Sequence, residues 1–270
     1  MKILGVDFTS APRRAKPITV AHGVLDQDLL RIEKMEELQN FPDFEALLRR
    51  PGPWVGGFDF PFGLPRQAVE ALHWPTAWSA MTRHCSSLGK AQYKSLLDAY
   101  RETRQPGSRY ATRRGDAISG AHPAVKLVNP PVGLMFFEGA PRLAAAGLTV
   151  PRLCEGDPSR VALEAYPGLL IRKHLGITIP YKNDSRGKQT AAHQAVRKKI
   201  IRAIKAGKPH GIRLNLAESI EQRMIDDPSG DSIDAAICAL QASKGQQYGG
   251  PHYGLPSDVD SIEGWIVTAR

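Results

Sequence analysis

The chain has 270 residues, 42% of them hydrophobic and 23% charged, which is enough to bury a substantial core and too apolar for a disordered chain. Lys and Arg total 36 against 27 for Asp and Glu, a net charge of +9 that excludes an acidic solvating protein and favours anionic partners. No apolar run reaches the length of a membrane span, and Cys85, Cys154 and Cys238 are widely spaced and odd in number. They read as free thiols of a reducing compartment, so the expected location is the cytoplasm.

Lys2 to Phe8 reads as a strand rather than a signal peptide, because Asp7 interrupts the apolar run and no small-residue cleavage site follows. Ile18 to Leu25 and Leu29 to Met35 alternate as two further strands joined by the turn Asp26-Gln27-Asp28. Phe44, Leu47 and Leu48 give Phe41 to Arg50 a helical face, and Pro51-Gly52-Pro53 stops it. Trp54 to Phe60 is uniformly apolar up to Asp59, as expected of a strand buried on both faces. Residues 65 to 148 read as a helical elaboration of the core, with helices over Gln67 to Leu72, Thr76 to Cys85, Ala91 to Thr103 and Leu134 to Ala146. Pro141 is expected in the first turn of the last of these. Gln105 to Pro123 is polar, irregular and rich in Arg. Val161 to Tyr166 is a fifth strand, and Pro167-Gly168 opens a helix through His174. Helices are expected over Lys188 to Ala206, Leu214 to Ile225 and Ser232 to Ala242, and a short strand over Gly264 to Thr268.

Three antiparallel strands followed by two that are reached through helical crossovers make a mixed five-stranded α/β sheet. That is the order of the ribonuclease H-like core, here expected as one domain over residues 1–270. Such a core collects acids from its first strand, its fourth strand and a late helix, which is where Asp7, Asp59 and Asp234 stand.

Gly5-Val6-Asp7-Phe8, Phe58-Asp59-Phe60-Pro61-Phe62-Gly63, Glu164-Ala165-Tyr166-Pro167 and Asp231-Ser232-Ile233-Asp234-Ala235-Ala236 occur in that order. Over residue 2 to Ile266 the chain resembles the family known as domain of unknown function 429. The resemblance implies a nuclease of the ribonuclease H-like fold.

The residues themselves point to a metal-bound acidic site. A carboxylate beside a buried strand is costly unless a cation or hydrogen bonds compensate it, and Asp234 lies in a helix with no wet face. Mg²⁺ or Mn²⁺ takes hard oxygen ligands and activates water for phosphodiester hydrolysis. Asp7, Asp59, Glu164 and Asp234 are the expected catalytic metal ligands, with Asp7 bridging. Asp231 is either an outer ligand or an acid favouring the helix N-terminus. Arg109, Arg113 and Arg114 in the polar segment, Lys198 and Arg202 on the basic helix, and Thr9 after the first strand are the expected contacts to a nucleic-acid substrate. Tyr181, Trp74 and Trp78 are available for stacking on bases. Two other readings are an ATP-dependent phosphotransferase of the actin-like sugar kinase type, with phosphates held at Thr9-Ser10, and a non-catalytic nucleic-acid-binding module.

Overall fold

The computed structural model describes residues 1–183 and 190–270. Seven strands form one sheet: β1 (Lys2–Asp7), β2 (Ile18–Asp26), β3 (Leu29–Leu38), β4 (Trp54–Phe58), β5 (Leu148–Thr149), β6 (Asp157–Glu164) and β7 (Arg213–Leu216), in the order β5-β6-β4-β1-β2-β3-β7. β1, β2 and β3 are antiparallel neighbours; β4 runs parallel to β1, β6 to β4, β5 to β6 and β7 to β3.

The fold is therefore mixed α/β, and the expected count of five strands is too low. β5 is only two residues long, too short to carry a pattern. In β7, Leu214 and Leu216 alternate with polar Arg213 and Asn215 and pair with β3. Only the following segment, α7 (Glu218–Asp226), is helical, so the expected helix over Leu214 to Ile225 divides into a strand and a helix. The expected strand at Gly264 to Thr268 reduces to a single bridge between Ile266 and Glu164.

The other helices are α1 (Phe41–Leu48), α2 (Arg66–Ala71), α3 (Trp78–Glu102), α4 (Arg114–Ser119), α5 (Val132–Ala145), α6 (Ala191–Lys205) and α8 (Asp231–Tyr248), with a π-helical turn at Leu169–His174. α3 joins the two helices expected there across a break at Gly89, whose φ of 73° is left-handed. Pro141 lies inside α5 rather than in its first turn. α4 lies within the stretch expected to be irregular. The start of the expected basic helix, Lys188, falls outside the described residues.

Helices cover both faces of the sheet. On one face Leu4, Val6, Phe58 and Ala162 meet α1 and the helices between β4 and β5, through Phe44, Leu47, Val69, Trp78, Phe136 and Leu143. On the other, Ile3, Val55, Val161 and Leu163 meet α6, α7 and α8. The alternation of side chains along each strand assigns these sets. Burial on both sides explains why β1 and β4 read as continuous apolar runs.

α8 sits unusually close to the sheet. A Cβ on Gly5 would lie 2.0 Å from the Ala235 carbonyl oxygen, and one on Gly57 would lie 2.3 Å from that of Cys238. Both neighbours are backbone atoms with no side chain to rotate away. Gly57→Ala is expected to lower stability by about 1–3 kcal/mol, the usual cost of overpacking. A fall in the urea midpoint checks this, and an unchanged midpoint contradicts it.

Candidate active site

The close seating of α8 is what assembles the acids. Gly5 and Asp7 are two residues apart on β1 and share its α8 side; Gly57 and Asp59 repeat the arrangement at the end of β4. The two strands are in parallel register at Val6 and Phe58, and the Asp59 amide donates to the Val6 carbonyl at 2.9 Å. Asp7 and Asp59 therefore leave adjacent strand ends on the same face. α8 arrives there with its N-terminal end, carrying Asp231 and Asp234.

These carboxylates line two adjoining hollows. A cleft of ≈ 350 Å³ is bounded by Asp7, Thr9, Asp59, Glu164, Lys182 and Asp231, among others. A second hollow shares Asp59 and Lys182 and adds Asp234. Asp7 and Asp59 are half-buried. Neither carboxylate accepts a hydrogen bond among the described residues, so burial and neighbouring charge alone set their protonation. Burial, then the charges of Asp231 and Asp234, hold Asp7 well above the usual carboxylate range, against the opposing pull of Lys182. Burial, then Asp234, push Asp59 up to about 8. Asp231 is also raised, by burial and by Asp227.

Two of the four expected ligands already hold protein cations. Asp234 accepts hydrogen bonds from the Tyr181 hydroxyl and the Lys182 ammonium, both at 2.5 Å. Arg197 donates to the Tyr181 carbonyl at 2.7 Å and the Ile225 carbonyl at 2.8 Å, fixing the segment that carries these partners.

Glu164 points to the opposite face. It pairs with Phe58 in the β4–β6 register, and Phe58 faces away from α8. Its carboxylate forms a buried cluster with Arg113 and Asp116. The Arg113 guanidinium donates to Glu164 at 2.9 and 2.6 Å and to Asp116 at 3.0 and 2.6 Å. The same guanidinium reaches the Glu263 carbonyl at 2.8 Å, while the Phe62 amide donates to Glu164 at 2.9 Å. All three charged side chains are at most 3% exposed.

The expected substrate contacts are correspondingly redistributed. Arg113 is buried and committed to two carboxylates, so it is no phosphate clamp. Arg114 is exposed and pairs with Asp258, Arg109 is exposed on the loop before α4, and Lys198 and Arg202 are exposed on α6; none of these lines the cleft. Thr9 does line it, together with Ser10 and Lys16. Trp74 and Trp78 belong to the core, and Trp78 donates to the Phe62 carbonyl at 2.6 Å. Tyr181 is held by Asp234.

Among the described residues no group of three or more His, Cys, Asp and Glu side chains is arranged to hold a metal ion. The donors that do fit a hard divalent cation are Asp7 and Asp59: carboxylate oxygens without hydrogen-bond partners among the described residues, whose deprotonated form an added cation would favour. Mg²⁺ keeps most of its water and needs only one or two carboxylates. The expected five-ligand set thus contracts to Asp7 and Asp59, with Asp231 beside them.

A family model matches residues 5–259. The chain belongs to that family, described as Protein of unknown function (DUF429). No curated protein and no solved structure gives a match. The matched span of this DUF429 chain takes in all five expected acids and also the residues that sequence reasoning passed over. Of these, Asp116 was signalled by its i, i+3 spacing from Arg113. Lys182 carried no signal, since a lysine in a loop is ordinarily solvated. Among the described residues no helix is long and apolar enough to cross a membrane.

Proposed function

We propose that this cleft is the active site of a metal-dependent phosphodiesterase acting on nucleic acid, with Asp7 and Asp59, flanked by Asp231, holding Mg²⁺ or Mn²⁺. The observation that carries this reading is the pair of half-buried carboxylates on adjacent strand ends that accept no hydrogen bond among the described residues and whose pKa values are raised. Perturbed acids in a cleft mark functional sites more often than structural ones. The central strand order β6-β4-β1-β2-β3, with β4 and β6 parallel to β1, supports reading the fold as ribonuclease H-like.

The bound cation supplies charge stabilisation to a phosphoryl group and lowers the pKa of water. The chain's own residues do the rest. Asp59 would release its proton to solvent on holding the cation. Lys182 neutralises Asp234, so that the acids are not all left to one ion. Lys16 lines the cleft, and Arg13 and Arg14, on the same loop, are exposed near it, which supports attraction of a phosphate backbone. Pro131, Val132 and Met135 add apolar lining to the cleft, suited to a base or sugar.

Calorimetric titration of Mn²⁺ and Mg²⁺ into the wild type, Asp7→Asn and Asp59→Asn tests the reading. Binding by the wild type that is lost in both variants, followed by cleavage of labelled single-stranded or duplex nucleic acid, is expected. A folded wild type that binds neither ion refutes it. Salt-dependent binding of nucleic acid with no turnover assigns a binding module instead.

A further inference from the structure

At the far end of α8 from the acids lies a second cavity, ≈ 310 Å³, lined by His174, Pro209, His210, Lys244, Tyr248, Thr268 and Arg270. Thirteen residues of helix separate Asp231 from Lys244, roughly 20 Å at about 1.5 Å per residue, so the two sites are distinct. The side chains of this lining are one-sided: two imidazoles, an ammonium, a guanidinium, a phenol and a hydroxyl, with no Asp or Glu. Neither Lys244 nor Arg270 forms an ion pair among the described residues. Their charges instead lie 5.1 and 4.7 Å from the centre of the Tyr248 ring.

Both histidines that line it carry a buried nitrogen that is unsatisfied. His174 Nδ1 and His210 Nε2 have no hydrogen-bond partner among the described residues, and their rings meet edge to face with centroids 5.1 Å apart. A buried polar atom left unpaired costs about 1–3 kcal/mol. The Thr268 hydroxyl oxygen accepts from Gln241 Nε2 at 3.0 Å, leaving its hydrogen free to donate. Thr268 itself has a φ of 73°, a left-handed conformation that is an outlier for a β-branched residue.

The Lys244 ammonium donates to the Gln247 side-chain oxygen at 3.1 Å, which accounts for its own placement. It does not account for two unpartnered imidazoles beside Lys244 and Arg270. Two histidines also suggest a metal, but the ammonium and guanidinium in the same cavity oppose one. Donors and positive charge together select an anion.

We propose that this cavity binds a phosphate group, with His174 Nδ1, His210 Nε2 and the Thr268 hydroxyl donating to its oxygens and Lys244 and Arg270 supplying the charge. Tyr248, 46% exposed at the rim, is placed to stack on the base of a nucleotide carrying that phosphate. The inference is independent of the metal reading of the acidic cleft. It also accounts for the state of His210, which burial, followed by the charges of His174, Lys244 and Arg270, depresses to about 4. A bound anion reverses the electrostatic part of that depression.

The test is side-chain ¹⁵N NMR of the histidines during titration with inorganic phosphate and separately with AMP, at ionic strength held constant with NaCl. His174 and His210 are expected to shift saturably, the His210 pKa to rise by about one unit, and the signals of His73, exposed and outside both cavities, to stay unchanged. Lys244→Gln, with an unaltered circular dichroism spectrum, is expected to weaken binding by about tenfold. Tighter binding of AMP identifies a nucleotide as the source of the phosphate, and equal binding identifies the free ion. No saturable shift with either anion, a saturable shift with Zn²⁺ alone, or undiminished affinity in Lys244→Gln overturns the proposal.

Discussion

Replacing Arg113 by alanine is expected to destabilise the fold by about 3–5 kcal/mol, the cost of stranding a buried charge. The guanidinium is the sole cation within hydrogen-bonding distance of Glu164 and Asp116 among the described residues, and each carboxylate is nearly inaccessible to water. Its removal leaves two anions to be neutralised by protonation. Glu164 already has its pKa raised by burial, with Arg113 as the main opposing influence. Without Arg113 that pKa climbs further, so the folded variant carries a proton that the unfolded chain releases near neutral pH. The deficit should therefore shrink as pH falls towards the ordinary carboxylate value and be largest above neutrality. The triple change Arg113→Met, Glu164→Gln and Asp116→Asn should recover much of the loss, because no buried charge then remains. Urea denaturation at several pH values measures both effects. A loss under about 1 kcal/mol for Arg113→Ala would mean that water reaches the cluster.

The second large effect concerns Asp59 in metal-free solution. Its folded-state pKa of about 8 lies above the ordinary value of 3.8, so between those limits the folded chain holds a proton that the unfolded chain has lost. Stability then falls as pH rises. The contribution is intact below the ordinary carboxylate pKa and is lost as pH climbs through about 8. With each pKa unit worth about 1.4 kcal/mol, the change across the window is on the order of a few kcal/mol. Asp59→Asn removes the titrating group, so the variant should gain on the wild type steadily from pH 4.5 to 8 in the presence of a chelator. Reading the difference between the two proteins cancels the opposite contribution of half-buried His22 and His210, whose lowered pKa values add stability as pH rises. Saturating Mg²⁺ should reduce the wild-type dependence, because the ion binds the deprotonated site. Parallel pH profiles for wild type and variant would exclude a protonated Asp59.

The strands that carry the acids were legible because each is an apolar run closed by a carboxylate. The repeated Gly-x-Asp of Gly5-Val6-Asp7 and Gly57-Phe58-Asp59 also encoded, unread, the shared face and the close approach of α8. Asp234 was legible for a different reason: its helix leaves no exposed side. The side towards which Glu164 points was not legible, because it depends on the register with β4, which a single sequence does not reveal; one residue of slip exchanges the faces of a strand. Arg113 was misread for lack of a partner in view, since a polar Arg-rich stretch looks solvated until the insertion folds it over Glu164. β7 was hidden by Leu214 and Leu216, whose spacing merges with the helical pattern of Ile220 and Met224 when only the sequence is available.

The seam between α8 and the sheet has a consequence for how this chain can vary. Main chain meets main chain at Gly5 and Gly57, so the spacing between the strand-end acids and those of α8 is fixed without reference to the surrounding hydrophobic side chains. A side chain at either position would push α8 outward and part the strand-end acids from those of the helix, so the cleft depends on two residues that contribute no functional group of their own.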